Sequence, residues 1–413
     1  MDNHQQHTLD VTAGWKKLLA EVTPLAQHLS EYMPTEPGLQ SEEDFCDFLF
    51  SQASMAYWGA VYADSQYPDF WPGGHGVFKS GATNPDDAYY FAPLDDNGIY
   101  RISGYRGSVH IINFQLCAGM AGHTGAVSWS PEEGGGSWGK NLGDYYADDL
   151  NIADNGWFEF ILSRERPADY NGDWCELVAG TGWMLVRQRS LDWLNEVDGR
   201  FGIDRLDLPA IQPRYSAEQL QQRIANIVQW TENWAKLSME WARRTINSCE
   251  VNQFTLFDLS SDAGWKPNIQ QLPQCVFQLE PDEALLVETD IPETYSYWNF
   301  QVTDSWWRML GGVHNQKSIN AHQASIDSDG KFRFVVAAED PGTPNWLDTQ
   351  GYGYGLILGR WNNCSSYPLP QARKIKLQEV HNYMPEDTPV IDQATRETMV
   401  RAYKLGGQLR RRW

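Results

Sequence analysis

IADNGWFEFILSRERP at 152–167 and IDSDGKFRFVVAAEDP at 326–341 lie 174 residues apart (326 − 152) and share Ile, Gly, Phe, Phe, Glu and Pro in register. Six identities in sixteen ungapped positions point to one plan used twice. A second marker agrees: Asn113-Phe114-Gln115 and Asn299-Phe300-Gln301 stand 186 apart (299 − 113). The 12-residue difference puts a longer connection in the first copy, where Pro131 to Ser137, PEEGGGS, supplies it. Downstream, Trp174 follows Asp173 and Trp346 follows Asn345, and an apolar run then ends in Arg187 or Arg360.

Each copy reads as antiparallel β. Asn155-Gly156 and Asp329-Gly330 are dipeptides of type I′ hairpin turns, with Asn97-Gly98 as a third. After the first two, Phe158/Phe160 and Phe332/Phe334 alternate with polar residues, which turns one face inward. Strands are expected at 99–103, 108–116, 157–163 and 182–188, and again at 275–279, 284–288, 296–303, 331–337 and 354–361. Gly351-Tyr-Gly-Tyr-Gly355 reads as a strand packed closely against another backbone. Helices are expected over 11–31 and 42–63, with Ser41 as a cap, and over 215–245. There Ser216 and Gln219 form a capping box, and Leu220, Ile224, Ile227, Trp230, Trp234, Leu237 and Trp241 recur at steps of three or four. The fold class is therefore mainly β with helices: two similar antiparallel β-sandwich-type domains (85–210 and 250–380) bridged by a long helix (215–246). An N-terminal helical segment (1–70) precedes them and a C-terminal tail (381–413) follows.

Composition bounds the function. Apolar residues at 42% and charged residues at 21% describe a folded globular chain. The net charge of −22 repels phosphate backbones and anionic lipid, so no nucleic-acid or membrane partner is expected. Arg410-Arg411-Arg412 reads as a solvated end. Six cysteines without CxxC spacing read as reduced thiols, and with no apolar leader or spanning run a cytoplasmic location is expected. Nineteen tryptophans suit cores, sugar faces and flat apolar ligands alike.

The stretches NPDDAYYFAPLD, YRISGYRG, ILSRERPADYNGDW, LVRQRSLDW, YWNFQVTD, HNQKS, DPGTPNWL and ILGRW resemble the family catalogued as domain of unknown function 1214 over most of residues 55–362. Two departures stand out: Arg360 is followed by Trp361-Asn362 where that family has an Arg-aromatic-Pro sequence, and the first copy carries the glycine-rich insertion. The resemblance implies a β-sandwich-type architecture and brings no reaction, cofactor or catalytic residue.

Features shared by both copies are assigned to folding. Glu165 with Arg187 and Glu339 with Arg360 recur, and one ion pair per copy is expected. Function is sought where the copies differ. Copy two carries Tyr295, Tyr297, Trp298, Trp306, Trp307, His314 and His322, and copy one His110 and His123. His314, His322 and Asp304 are the candidate acid–base groups. Tyr297, Trp298, Trp306, Trp307, Asn345 and Trp346 are the candidate ligand-binding residues. No phosphate loop, dinucleotide fingerprint, nucleophile elbow or HExxH occurs, so no cofactor and no metal is expected, and Asp148, Asp149, Asn151 and Asp154 read as a solvated acidic loop. The expected partner is a small apolar or aromatic metabolite in a cleft between the domains, with a cofactor-independent lyase, isomerase or hydrolase step as an option. A glycan-binding or glycan-processing protein and a non-catalytic scaffold are the alternatives.

Overall fold

A computed structural model describes residues 11–30, 42–73, 81–120, 122, 140–258, 270–311 and 313–410. Ser41, His123 and the insertion at 131–137 lie outside these residues. Helix α1 (Val11–Ser30) and helix α2 (Glu42–Tyr57) open the chain, and α2 runs on into a π-helical turn at Trp58–Tyr62. The first half then comprises β1 (Trp71–Gly73), β2 (Asp87–Pro93), β3 (Tyr100–Tyr105), β4 (Ile111–Cys117), β5 (Asn141–Tyr146), β6 (Trp157–Ser163), β7 (Asp173–Glu176), β8 (Trp183–Arg189) and β9 (Arg200–Arg205). After helix α3 (Ala217–Ser248) the second half repeats the series. It has β10 (Phe254–Asp258), β11 (Gln270–Gln278), β12 (Glu283–Thr289), β13 (Tyr297–Thr303) and β14 (Ser318–Asn320). β15 (Phe332–Ala337), β16 (Trp346–Asp348), β17 (Tyr354–Asn362) and β18 (Gln371–Lys376) complete it, and helix α4 (Gln393–Leu409) ends the chain.

The strand order proves the duplication. One five-stranded sheet runs β1-β2-β8-β4-β5 and its counterpart β10-β11-β17-β13-β14; the four-stranded sheets run β7-β6-β3-β9 and β16-β15-β12-β18. Adding nine to each label converts one half into the other, including the parallel pairs β6–β7 and β15–β16. Within each half the two sheets face each other across an aromatic core. Phe114, Phe158 and Phe160 pack in the first, and Phe300, Phe332 and Phe334 in the second. Sandwich packing of this kind needs alternating inward side chains, and the Phe-x-Phe repeats provide them.

The Asn-Gly and Asp-Gly dipeptides build a different turn from the one expected. In both halves the chain closes Gly156 N–H to Ala153 O and Ala153 N–H to Trp157 O, matched by Gly330 to Asp327 and Asp327 to Lys331. Gly156 and Gly330 take positive φ (85° and 82°), whereas Asn155 and Asp329 do not, so each is a type I turn with a left-handed glycine. A primed turn joins neighbouring strands of one sheet; this turn instead carries the chain into β6 or β15 from the other sheet. Gly355, in β17, sits where a Cβ would meet the Thr303 carbonyl at 2.5 Å, which is the close backbone approach expected of the glycine-alternating stretch.

Beside the second turn Arg333 bonds Asp329, Asp327 and Glu288. The hydrogen bond from Arg333 first, and then that from the Lys331 amide, hold the Asp329 carboxyl down to about 2. A depressed native value means that Asp329 contributes stability above its unfolded value of 3.8 and loses it as pH falls toward about 2. Urea midpoints measured across that window are expected to fall less steeply for Asp329→Asn than for the parent; equal slopes would sink this assignment.

Ser216 caps α3 and forms the capping box with Gln219, as the sequence indicates. The helix lies on the outer face of both five-stranded sheets. Trp230, Trp234 and Leu237 pack on Tyr89, Phe91, Trp183 and Leu185 of the first half. One to three turns later Trp241, Ala242, Ile246 and Cys249 pack on Leu272, Val276, Leu356 and Leu358 of the second. Its stripe is continuous because one helix face serves two equivalent sheets. The segment read as a tail contains α4, and Arg410 is buried rather than solvated. It donates to the backbone carbonyls of Pro85, Asp86 and Gln188. Among the described residues no helix is long and apolar enough to cross a membrane.

Candidate functional site

The Asn-Phe-Gln triplets occupy β4 and β13, central strands of the two five-stranded sheets. Alternation sends each phenylalanine into its sandwich and both amides to the opposite face. There Asn113 lies opposite Arg187 and Asn299 opposite Arg360. Arg187 donates to Asn113 and Gln115, and Arg360 donates to Asn299 (3.3 Å) and Gln301 (2.6 Å). The duplicated arginines are therefore held by amides, and the ion pairs expected with Glu165 and Glu339 do not form. Both glutamates are exposed, and neither is ion-paired among the described residues. The reason is the pleat: a residue just past the end of β6 or β15 belongs to the four-stranded sheet, across the core from the arginine.

In the second half this polar set is filled by the first. Arg360 donates to Ala82 O at 2.6 Å and Gln301 to Thr83 O at 3.3 Å. Asn299 Nδ2 donates to Asn84 Oδ1 (2.8 Å) and Asp86 Oδ2 (3.0 Å). Tyr297, Asn320 and Trp193 also donate to the Asp86 carboxylate. Burial raises the Asp86 carboxyl above the usual carboxylate range, against the pull of the Tyr297 and Asn320 donors. Burial acts the same way on Asp87, but there Arg189, Arg187 and Arg360 prevail and hold it below that range. At the entry to this plug Ala82 and Trp307, both non-glycine residues with positive φ, meet through a hydrogen bond from Ala82 N–H to Trp307 O. The space between the halves is thus a protein-filled polar junction at residues 82–87.

The sequence-nominated residues are placed as follows. Tyr297 is buried in that junction. Trp298, one residue on, points the other way into the sandwich core. Asp304 is fully buried, ion-paired with Arg308, and accepts from the amides of Trp306 and Arg308. Trp306 packs against Phe45 and Phe48 of α2, and Trp307 against Trp241 of α3. Asn345 bonds the carbonyls of Ser325 and Arg333, and the Trp346 indole donates to Ala337 O. His314 and His322 are exposed; His322 lies 3.5 Å from Asp192. These nine residues are not gathered round one cavity. Within the acidic loop Asp148 is paired with Arg106.

A cavity of about 400 Å³ lies elsewhere, at one end of the first half's five-stranded sheet. Pro93 and Leu94 at the end of β2, Ala118 after β4 and Gly182-Trp183 at β8 form its floor. Arg223, Asn226 and Trp230, at i, i+3 and i+7 on α3, form one wall. Gly59, Ala60, Ala63 and Asp64 of the π-helical turn and its exit form the other. Trp183 and Trp230 meet edge to face, 5.8 Å between centroids. The charged groups are paired with each other. Asp64 accepts from Gln66 N, Gln212 and Tyr215 and is ion-paired with Arg223, which donates to the carbonyls of Val61 and Ala63. Burial, with the bond to Asp64, pushes the Tyr215 hydroxyl up to about 12, which keeps it a donor.

Gly59 makes the cavity possible. A Cβ there would stand 2.0 Å from the Trp230 ring. Gly59→Ala is expected to push the indole into the cavity and to lower stability by about 1–3 kcal/mol, the range for overpacking; urea denaturation reads it.

Residues 279–360 match the family model described as Protein of unknown function (DUF1214). The DUF1214 stretch runs from just before β12 into β17, so it contains Asn299, Gln301 and Arg360 and leaves out every residue of the cavity. Over 88% of its length the chain is similar in fold to the crystal structure of an uncharacterized protein from Burkholderia cenocepacia, with 28% identity, a TM-score of 0.76 and 97% of that chain covered. The VPA0106 protein from Vibrio parahaemolyticus matches at 13% identity and a TM-score of 0.44, covering 86% of this chain and 100% of that one. No curated protein matches the chain. The cavity has a trace in the sequence that aromatic counting misses. At the triplet offset of 186, Ala118 corresponds to Asp304 (304 − 118). Copy one has a small residue at the corner where DUF1214-like copy two has an ion-paired carboxylate.

Proposed function

We propose that this protein binds a small organic molecule in the cavity between α3, the π-helical turn and the first half's five-stranded sheet. The observation that carries the reading is the asymmetry of the two copies. The corner of the second half that corresponds to the cavity is filled by Asp304, Arg308 and α2, while in the first half the described residues leave about 400 Å³ there, bordered by two tryptophans. That volume suits a metabolite-sized ligand. π-Helical turns recur at functional sites, and this one shapes a wall. Among the described lining residues there is no histidine or cysteine, and the Asp64 carboxylate is engaged by three hydrogen bonds and the Arg223 ion pair, which favours binding over catalysis.

Ala118 is exposed at the rim, so Ala118→Trp fills the mouth without disturbing a core. A bound aromatic probe at a hundredfold excess over its Kd stabilises the native state by about 2.7 kcal/mol. Melting curves of the parent chain are expected to shift upward with such a probe, and those of Ala118→Trp to stay put. Equal shifts in both proteins would place the binding elsewhere.

A further inference from the structure

The charge and hydrogen-bonding state of the cavity wall restrict what it takes. We infer that the ligand class is an uncharged planar ring bearing a hydrogen-bond acceptor at its rim, an aromatic carboxamide being the simplest member. This rests on the binding reading above and adds the ligand's shape, charge and polarity to it.

Shape follows from the walls. Trp183 and Trp230, buried and crossed at 67°, border the cavity with narrow apolar strips, and Ala60, Ala63, Pro93 and Leu94 extend that surface, which suits a thin, flat guest. Charge follows from the ion pair. Asp64 accepts from a backbone amide, an amide side chain and a phenol and is ion-paired with Arg223 at 3.1 Å, so its charge is already neutralised within the wall and does little to draw in an ammonium. Arg223 gives Nη1 to Val61 O and Ala63 O and is ion-paired through Nη2 with Asp64 at 3.1 Å, so a ligand carboxylate would have to compete with Asp64 for its charge. A cation would gain from the indole faces, but a cation–π contact recovers less than removing an ammonium from water costs. Polarity follows from Asn226. Its Oδ1 accepts from Gln222 Nε2 at 3.2 Å, and its Nδ2 has no acceptor among the described residues. The wall therefore presents a neutral donor, and the complementary ligand atom is a carbonyl or ring-nitrogen acceptor.

The test uses the full chain at pH 7 and four probes of similar size: benzamide, benzoate, benzylamine and cyclohexanecarboxamide. Affinities are read by tryptophan fluorescence and by melting temperature. Benzamide is expected to bind in the range of about 1 mM, the affinity of an efficient fragment of its size. It is expected to bind about tenfold more tightly than the benzoate anion, the benzylammonium cation or the non-planar amide. Asn226→Ala is expected to weaken benzamide about tenfold and to leave benzylammonium unchanged, with Ala118→Trp abolishing benzamide binding. A charged probe that equals benzamide, or benzamide indifferent to Asn226→Ala, overturns the ligand class while cavity binding stands. Failure of all four to bind, or binding untouched by Ala118→Trp, overturns the binding reading itself.

Discussion

Asp86→Ala is expected to cost about 2–4 kcal/mol of stability, because it removes an acceptor shared by four buried donors and leaves the Trp193 indole with none, while Tyr297, Asn299 and Asn320 keep Asn84 Oδ1 or Leu191 O. Tyr297 Oη, Asn299 Nδ2, Asn320 Nδ2 and Trp193 Nε1 all end on the Asp86 carboxylate, and three of them come from the second half. Each unsatisfied buried polar group costs about 1–3 kcal/mol, and the site is sealed on one side by Arg410 on the carbonyls of Pro85 and Asp86. Asp86→Asn retains the shape and one acceptor oxygen but brings an amide donor to face two of the four donors, so it is expected to recover only part of the loss. Urea unfolding followed by tryptophan fluorescence measures both. A cost below about 1 kcal/mol for Asp86→Ala would mean that the junction does not hold the halves together.

Arg308→Met is expected to be of similar size, about 3–5 kcal/mol, for a different reason. Asp304 is fully buried and its carboxylate faces Arg308 Nε. The same guanidinium reaches α2, bonding Asp44 Oδ1 at 2.7 Å, Asp47 Oδ2 at 3.1 Å and the Asp44 carbonyl at 2.8 Å. Removing it leaves a carboxylate in a desolvated place and releases α2 from the second half. Arg308→Lys keeps a charge but has no planar fork to serve four acceptors, so an intermediate loss is expected. Hydrogen exchange separates this from general destabilisation: amides of Glu42–Tyr57 are expected to lose protection before those of β13. Unchanged protection of α2 in Arg308→Met would sink the proposed latch.

How far the sequence carried depends on the range of each interaction. The two copies differ most visibly in sequence at the aromatic residues of copy two, yet those residues do not gather into a site. Tyr297 and Trp298 illustrate why. They are adjacent on β13, so the pleat must send them to opposite faces, one to the junction and one to the core. No aromatic cluster formed from consecutive strand residues can line one pocket. The informative difference was small and apolar, Ala118 against Asp304, and a short side chain gives no signal of its own.

By itself the sequence determined the duplication, the β character of each copy and the long capped helix between them. Those rest on local physics: alternation along a strand, a three-to-four repeat along α3, a glycine at positive φ, and Ser216 bonding an amide three residues on. Only the tertiary structure decided that residues 82–87 fill the second half's polar set, that the duplicated arginines bond amides rather than Glu165 and Glu339, and that the cavity opens in the first half. Asn84 and Asn299 are 215 residues apart, and Asn226 meets the floor of the cavity across more than forty residues of chain. Hydrogen bonds and voids between such distant segments depend on how whole sheets and helices pack, and no periodicity in the chain encodes that.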